Sequence, residues 1–162
     1  MSMNCGAATM GLLAQYGIDT VFGIPGVHTL DFCSGLGEGS AIQHIQVRNE
    51  QGAGFMAEGY ARATGKPAVA LVISGPGVTN AATAIGQSWA DSLPVLLLSA
   101  EPASHTLGKG WGVLHEITEQ KAVTAPLTAL SATAHRPEDV PELLAQAFSI
   151  FSSARPRPVH IS

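Results

Sequence analysis

The sequence predicts an α/β fold, a doubly wound and mostly parallel sheet with helices on both faces. Strand-length apolar runs alternate with helical patterns along the chain through short connections, and such alternation requires crossovers between parallel strands. Two of the runs, Ala68-Val69-Ala70-Leu71-Val72-Ile73 and Val95-Leu96-Leu97-Leu98-Ser99, show no polar alternation, as strands covered on both faces do. At 162 residues the chain suits one well-buried domain, 1–162, and no linker or repeat divides it.

The elements follow in order. Ala7, Met10, Leu13 and Ala14 form an apolar helical stripe that stops at Tyr16-Gly17, and Thr20 to Ile24 reads as a buried strand. After the Pro25-Gly26 turn, a helix is expected over Val27 to Leu36 and a second strand over Ile42 to Val47. Asn49 is the N-cap of a helix running to Thr64, closed by Gly65-Lys66-Pro67 ahead of the Ala68 strand. Gly77 to Asp91 is a second helix rich in small residues, separated from the Val95 strand by the Leu93-Pro94 break. The stretch Glu101 to Thr118, with Gly108, Gly110 and Gly112, has no period and reads as a long loop of the kind that is usually functional or disordered. A strand near Val123 to Leu130, a helix from Glu138 to Phe151 and a strand over Val159-His160-Ile161 complete the pattern.

Composition narrows the function. Charged residues make up 12% of the chain, against about 25% in ordinary soluble domains, so much of the surface is expected to meet other protein. A formal charge of −4, with no basic cluster longer than Arg155-Pro156-Arg157, argues against nucleic acid as a partner. No apolar run approaches the ~20 residues that span a bilayer, and Met1 to Met10 lacks the features of a signal peptide, so a cytoplasmic protein without a membrane partner is expected. Cys5 and Cys33 fit neither a metal-ligand spacing nor a disulfide framework and read as reduced thiols; no metal ligand is assigned in this chain.

In a doubly wound sheet, ligands bind at the carboxyl ends of the strands. Pro25-Gly26, Glu50, Gly75 to Asn80 and the glycine-rich loop all fall at such ends. Taken alone, Glu50 is a first-turn acid that complements the helix dipole by about 0.3–1 kcal/mol. The helix behind it, however, carries Gly52, Gly54 and Gly59, each costing roughly 1 kcal/mol relative to alanine, so something is expected to approach that helix closely. The segment Gly75-Pro76-Gly77-Val78-Thr79-Asn80 matches neither the dinucleotide fingerprint nor the phosphate loop, and its proline removes an amide donor that a phosphate cradle would use.

These segments resemble the pyrimidine-binding domain of thiamine diphosphate-dependent enzymes, the superfamily of acetolactate synthases, pyruvate oxidases and 2-keto acid decarboxylases. The resemblance rests on Gly17 to Gly26, Asn49-Glu50-Gln51-Gly52-Ala53, Ala57 to Gly65, Gly75 to Asn80 and Arg157-Pro158-Val159-His160-Ile161, and so covers nearly the whole chain. It implies an enzyme acting on a small 2-keto acid, by decarboxylation or by acetolactate-type carboligation, with chemistry carried by thiamine diphosphate. Glu50 would hydrogen-bond the aminopyrimidine ring nitrogen and favour the imino tautomer that takes the thiazolium proton. Pro25, Gly26, Pro76 and Asn80 would line the pyrimidine pocket, although both prolines also serve as ordinary turn residues.

Two histidines add candidate substrate contacts. His115, in Leu114-His115-Glu116, stands where acetolactate synthases usually show Phe-Gln-Glu, and a histidine there suits proton shuttling or substrate positioning as well as it suits a plain loop surface. His28 lies beside the pyrimidine turn and faces either substrate or solvent. Gly26-Val27-His28-Thr29-Leu30 together with Gly110-Trp111-Gly112-Val113-Leu114-His115 resembles 5-guanidino-2-oxopentanoate decarboxylases, for whose cationic substrate Glu116 and Glu119 are candidate acids. His44, His105, His135 and His160 form no usable spacing.

The superfamily binds the diphosphate through magnesium, with a Gly-Asp-Gly motif in a separate domain, and no Gly-Asp-Gly occurs here. Its active site lies between two subunits, so the resemblance implies a diphosphate-binding domain of a neighbouring subunit as partner and a homodimer or homotetramer, with FAD an open question for the parent enzyme. The sequence stops within an apolar strand at Ser162 and is read as part of a longer three-domain enzyme, inactive alone. The alternatives are a natural pyrimidine-binding subunit of a split decarboxylase and a non-enzymatic nucleotide-binding module.

Overall fold

A computed structural model describes residues 3–162; Met1 and Ser2, part of the stretch read for a signal peptide, lie outside them. The elements are α1 (Cys5–Gln15), β1 (Thr20–Gly23), α2 (Leu30–Cys33), β2 (Gln43–Gln46), α3 (Glu50–Thr64), β3 (Ala68–Val72), α4 (Pro76–Ala90), β4 (Val95–Ser99), α5 (Gln120–Thr124), β5 (Leu130–Ala132), α6 (Asp139–Phe151) and β6 (Val159–Ile161). The six strands form one sheet in the order β2-β1-β3-β4-β6-β5, every pairing parallel, so the expected fold class is the observed one.

Side-chain alternation along the strands divides the core in two. Val69, Leu71, Leu96 and Leu98 pack with Met10 and Leu13 of α1 and with Leu144, Ala147 and Phe148 of α6. Ala68, Ala70, Val72, Val95 and Leu97 face the other way, against Ala53, Ala57 and Ala61 of α3 and Val78, Ala81 and Ile85 of α4. Both central strands are buried at every position, which is why their sequences show no polar alternation. Each fully buried leucine or isoleucine in these layers contributes about 1.5–3 kcal/mol relative to exposure.

Helices α3 and α4 run side by side in one register. Glu50 meets Asn80, and one turn further along each helix Gly54 faces Ala84; both pairs are thirty positions apart. At the far end, Arg62 of α3 bonds Glu58 and Asp91, the residue that caps α4. A β-carbon at Gly54 would stand 2.6 Å from the Ala84 side chain, so the glycine is what permits this approach. The expectation of close approach therefore holds for Gly54, with α4 as the neighbour. At Gly52 and Gly59 a β-carbon would meet nothing within 4 Å.

Two elements depart from the sequence reading. The helix expected over Val27 to Leu36 is a single 3-10 turn, Val27–Thr29, followed by the short α2. Its continuation is cut because Gly35 packs on α1, where a β-carbon would come within 2.9 Å of Ala7 and Met10. The strand expected near Val123 to Leu130 is instead α5 and a 3-10 turn, Ala125–Leu127, with β5 starting at Leu130. Pro126 has no amide to donate to a ladder, and the side chains of Gln120 and Thr124 are committed to buried hydrogen bonds. The stretch from Glu101 to Thr118 is loop as expected, apart from one 3-10 turn at Ser104–Thr106. Cys5 and Cys33 are free thiols. No helix among the described residues is long and apolar enough to cross a membrane.

The register of α3 on α4 makes opposite predictions for neighbouring glycines. Gly54→Ala should lower stability by about 1–3 kcal/mol, since crowding at Ala84 outweighs the helix-propensity gain. Gly59→Ala, with open space and the same propensity gain, should raise it by about 0.5–1 kcal/mol. Urea unfolding midpoints check this, and equal shifts for the two substitutions would contradict the packing.

Candidate active site

The sheet order reverses between β1 and β3: the chain leaves β1 toward β2 on one side and returns over it to β3 on the other. Such a switch opens a crevice beyond the carboxyl ends of the strands. Three connections reach it, Ile24-Pro25-Gly26 after β1, Val47 to Glu50 after β2 and Ile73-Ser74-Gly75 after β3.

The Pro25-Gly26 turn is locked from below. The fully buried Thr29 accepts the Gly26 amide at its hydroxyl (2.8 Å) and donates to the Gly26 carbonyl (3.0 Å). A β-carbon on Gly26 would press on Ile73 at 2.8 Å, so the two switch-point connections touch through that glycine. Glu50 opens α3, whose N-cap Asn49 accepts the Gln51 amide at 2.8 Å. Its Oε2 accepts from Asn80 Nδ2 at 2.9 Å, while Oε1 takes no hydrogen bond among the described residues. The Glu50 side chain is half-buried, and Pro25, Pro76 and Asn80 are exposed around it. Glu50 and Asn80 are thus brought together, with Pro25, Gly26 and Pro76 on the adjoining turns.

The two histidines also meet. His28 Nδ1 lies 2.7 Å from the hydroxyl of Ser74, which is fully buried. The His115 ring stands edge-on to His28 with centroids 6.3 Å apart. Burial, and secondarily the charge His115 would carry, hold the His28 pKa below the ordinary histidine value. His115 takes a left-handed backbone, φ +59°, and its ring Nδ1 is buried without a hydrogen-bond partner among the described residues. The His115 carbonyl lies 2.2 Å from where a β-carbon of Gly75 would be, and Gly75 itself has φ +58° and ψ −109°. Only glycine accepts both the conformation and the contact.

Behind this turn lies a set of buried polar residues that the sequence reading does not connect. The Gly75 amide donates to Gln120 Oε1 at 2.8 Å, and Gln120 Nε2 donates to the Ala100 carbonyl (2.8 Å) and to Ser99 Oγ (3.0 Å). Ser99 Oγ is 2.8 Å from His160 Nε2, and His160 Nδ1 is 2.6 Å from Thr124 Oγ1. Burial alone pushes the His160 pKa down to about 4. These contacts join residues 45, 21 and 61 positions apart, so no local pattern announces them. The one signal available was polarity itself, Ser99 and His160 inside otherwise apolar strands.

The acids near the loop divide. Glu116, a candidate acid for a cationic substrate, accepts the amides of Gly110 (3.0 Å), Gly112 (2.6 Å) and Val113 (3.1 Å), so its carboxylate holds the glycine-rich loop in shape. Glu119 is exposed at the start of α5. A carboxylate that the sequence reading missed, Glu101, lines a cavity of about 220 Å³ together with His28, Asp31 and Phe32. Burial raises its pKa.

The family described as "Thiamine pyrophosphate enzyme, N-terminal TPP binding domain" matches residues 3–124. The "Probable 2-ketoarginine decarboxylase AruI" of Pseudomonas aeruginosa is 62% identical over 161 residues, 99% of this chain and 29% of that protein. The acetolactate synthase large subunit of Buchnera aphidicola subsp. Schizaphis graminum is 40% identical over 149 residues, and isozyme 1 of Escherichia coli K12 38%, each match covering 92% of this chain and 26% of the relative. The chain therefore spans less than a third of the length of these relatives.

Two outcomes follow from the geometry. Gly75→Ala should cost about 1–3 kcal/mol and displace His115, read as lower thermal stability and a shifted histidine ring resonance; an unchanged protein would refute the clash. His160 binds its proton more weakly folded (about 4) than unfolded (about 6.5), so its contribution is complete above pH 6.5 and is lost as pH falls toward 4. That loss is on the order of 3 kcal/mol. Urea titrations over this range should show the slope in the parent chain and lose it in His160→Gln, and identical slopes would contradict the assignment.

Proposed function

Because this chain belongs to the family of thiamine pyrophosphate enzyme N-terminal TPP-binding domains, we propose that it forms the pyrimidine-binding half of an active site acting on a 2-keto acid. The observation that carries this reading is Glu50 at the switch-point crevice, one carboxylate oxygen held by Asn80 and the other free. Such a group fits an aromatic nitrogen: a half-buried carboxyl shares a proton with a ring nitrogen, and Asn80 fixes which oxygen is left to do so. Pro25 and Pro76 offer flat apolar contacts to a ring, and Gly26 seats the Pro25 turn against Ile73. These residues are all in one chain, and the exposure of Pro25, Pro76 and Asn80 suits a site closed by another protein surface.

When bound, thiamine diphosphate would supply a carbon acid whose conjugate base, once the proton has passed to the pyrimidine, is a nucleophile for the keto group and whose ring is a sink for the electron pair left by carbon dioxide. Glu50 would hold the proton at the pyrimidine ring nitrogen. His28 and His115, their rings nearly perpendicular, would hold the substrate carboxylate or move a proton at the reacting carbon, with Ser74 fixing the His28 ring. The diphosphate and its magnesium would bind a separate domain of a neighbouring subunit in a homodimer or homotetramer.

For the substrate we favour a 2-keto acid with a guanidino group, processed by decarboxylation. Support comes from the similarity to the probable 2-ketoarginine decarboxylase, and from the cavity beyond His28, where Asp31 and Glu101 offer carboxylates to a cationic tail. Acetolactate-type carboligation is the second reading, supported by similarity to the acetolactate synthase large subunits.

In the assembled enzyme, Glu50→Gln should slow hydrogen–deuterium exchange at the thiazolium carbon by roughly 10²–10⁴-fold with cofactor still bound; near-normal exchange would defeat the role given to Glu50. Product analysis should show decarboxylation of 5-guanidino-2-oxopentanoate well above any carboligation of pyruvate. Acetolactate as the main product would favour the second reading.

A further inference from the structure

The hydrogen-bonded side chains behind the Gly75 turn have a direction fixed by the groups at their ends. Gly75 presents an amide, which only donates, and Ala100 presents a carbonyl, which only accepts. Gln120 bridges the two, so its side-chain oxygen must face Gly75 and its nitrogen Ala100. The second amide hydrogen then goes to Ser99 Oγ at 3.0 Å. Ser99, having accepted, has its own hydroxyl hydrogen to place, and its remaining partner is His160 Nε2 at 2.8 Å. His160 therefore accepts at Nε2 and carries its proton on Nδ1, toward Thr124 at 2.6 Å. Every donor has an acceptor in this arrangement, and Gln120, Ser99, Thr124 and His160 are all buried.

We propose that Gln120 is a positioning residue for the cofactor's pyrimidine, its side-chain oxygen clamping the Gly75–Pro76 turn while Ser99 and His160 hold the amide in the orientation this requires. The clamp acts through the chain: the turn opens α4, α4 carries Asn80, and Asn80 holds Glu50. From the other side the turn is pinned by the His115 carbonyl. Reversal of the Gln120 amide would set nitrogen against the Gly75 amide and oxygen against the Ala100 carbonyl, breaking both bonds. An imidazolium at His160 would place a second proton on Nε2, facing the Ser99 hydroxyl hydrogen, and would press for that reversal. The groups facing His160 are Ser99 from β4, Thr124 from α5 and Ser131 from β5, all uncharged.

This inference rests on the thiamine diphosphate reading above, and its test separates the two. In the assembled enzyme, the dissociation constant for thiamine diphosphate is measured by calorimetry from pH 5.5 to 8, alongside hydrogen exchange of the backbone amide of Gly75. Gln120→Leu should weaken cofactor binding about tenfold or more and expose the Gly75 amide to exchange. Gln120→Glu reproduces both backbone bonds only as the neutral acid, with its carbonyl oxygen toward Gly75 and its hydroxyl toward Ala100. Its cofactor affinity and Gly75 protection should therefore be near normal at the acidic end and fall as pH rises, while the parent enzyme stays level. Affinities unchanged in both variants, or weakened equally at every pH, would overturn the role of Gln120. If Gln120→Leu does not fold, the Gln120→Glu series, one folded protein followed through pH, decides alone. Failure of the parent enzyme to bind thiamine diphosphate would reject the proposed function, and this inference with it.

Discussion

The approach of α3 to α4 at Gly54 and Ala84 is the constraint on which the candidate site depends. Both helices start at the carboxyl edge of the sheet and run in the same direction, so contact at one level sets contact at every other. One turn above the glycine, the shared register delivers Glu50 to Asn80 at 2.9 Å; near the far end it delivers Arg62 to Asp91. A larger residue at 54 would widen the gap for the whole length of the pair. Gly54, costly to helix propensity, thus bears directly on the geometry of the carboxylate.

The second constraint is the Gly75 turn, fixed by its own backbone conformation and by contacts on two sides. Its conformation is closed to residues with a β-carbon, the His115 carbonyl occupies the space such an atom would take, and Gln120 accepts its amide. The loop that supplies His115 is itself shaped by Glu116, which gathers three backbone amides. Charged residues, 12% of this chain, are about half as frequent as in an ordinary domain; here buried neutral groups, Ser74, Ser99, Gln120, Thr124 and His160, hold the turn and the side chains around it. Neutral networks of this sort hold geometry well because each member is satisfied and none carries a desolvated charge.

Much of the fold was legible in the sequence, because β3 and β4 are buried on both faces and α1, α3 and α4 carry clear stops. The errors lie where tertiary contacts override local pattern. Val123 and Thr124 read as strand by type, yet Pro126 and the buried partners of Gln120 and Thr124 make the segment helical. The helix after Pro25-Gly26 was overextended because the contact of Gly35 with α1 is invisible locally. At the site, Glu50, Asn80, His28 and His115 were legible from motifs, and the structure pairs them as Glu50 with Asn80 and His28 with His115. Gln120 and Ser74 were not, since their partners lie 45 and 46 positions away.

The proposed site places the oxygen of Glu50 that Asn80 does not hold against a ring nitrogen of the cofactor. A crystal structure of the assembled enzyme with thiamine diphosphate bound should show a Glu50 carboxylate oxygen within about 3 Å of the pyrimidine ring nitrogen, with Asn80 still holding the other oxygen. A pyrimidine ring seated elsewhere, or a Glu50 side chain turned away from it, would refute the role proposed for Glu50.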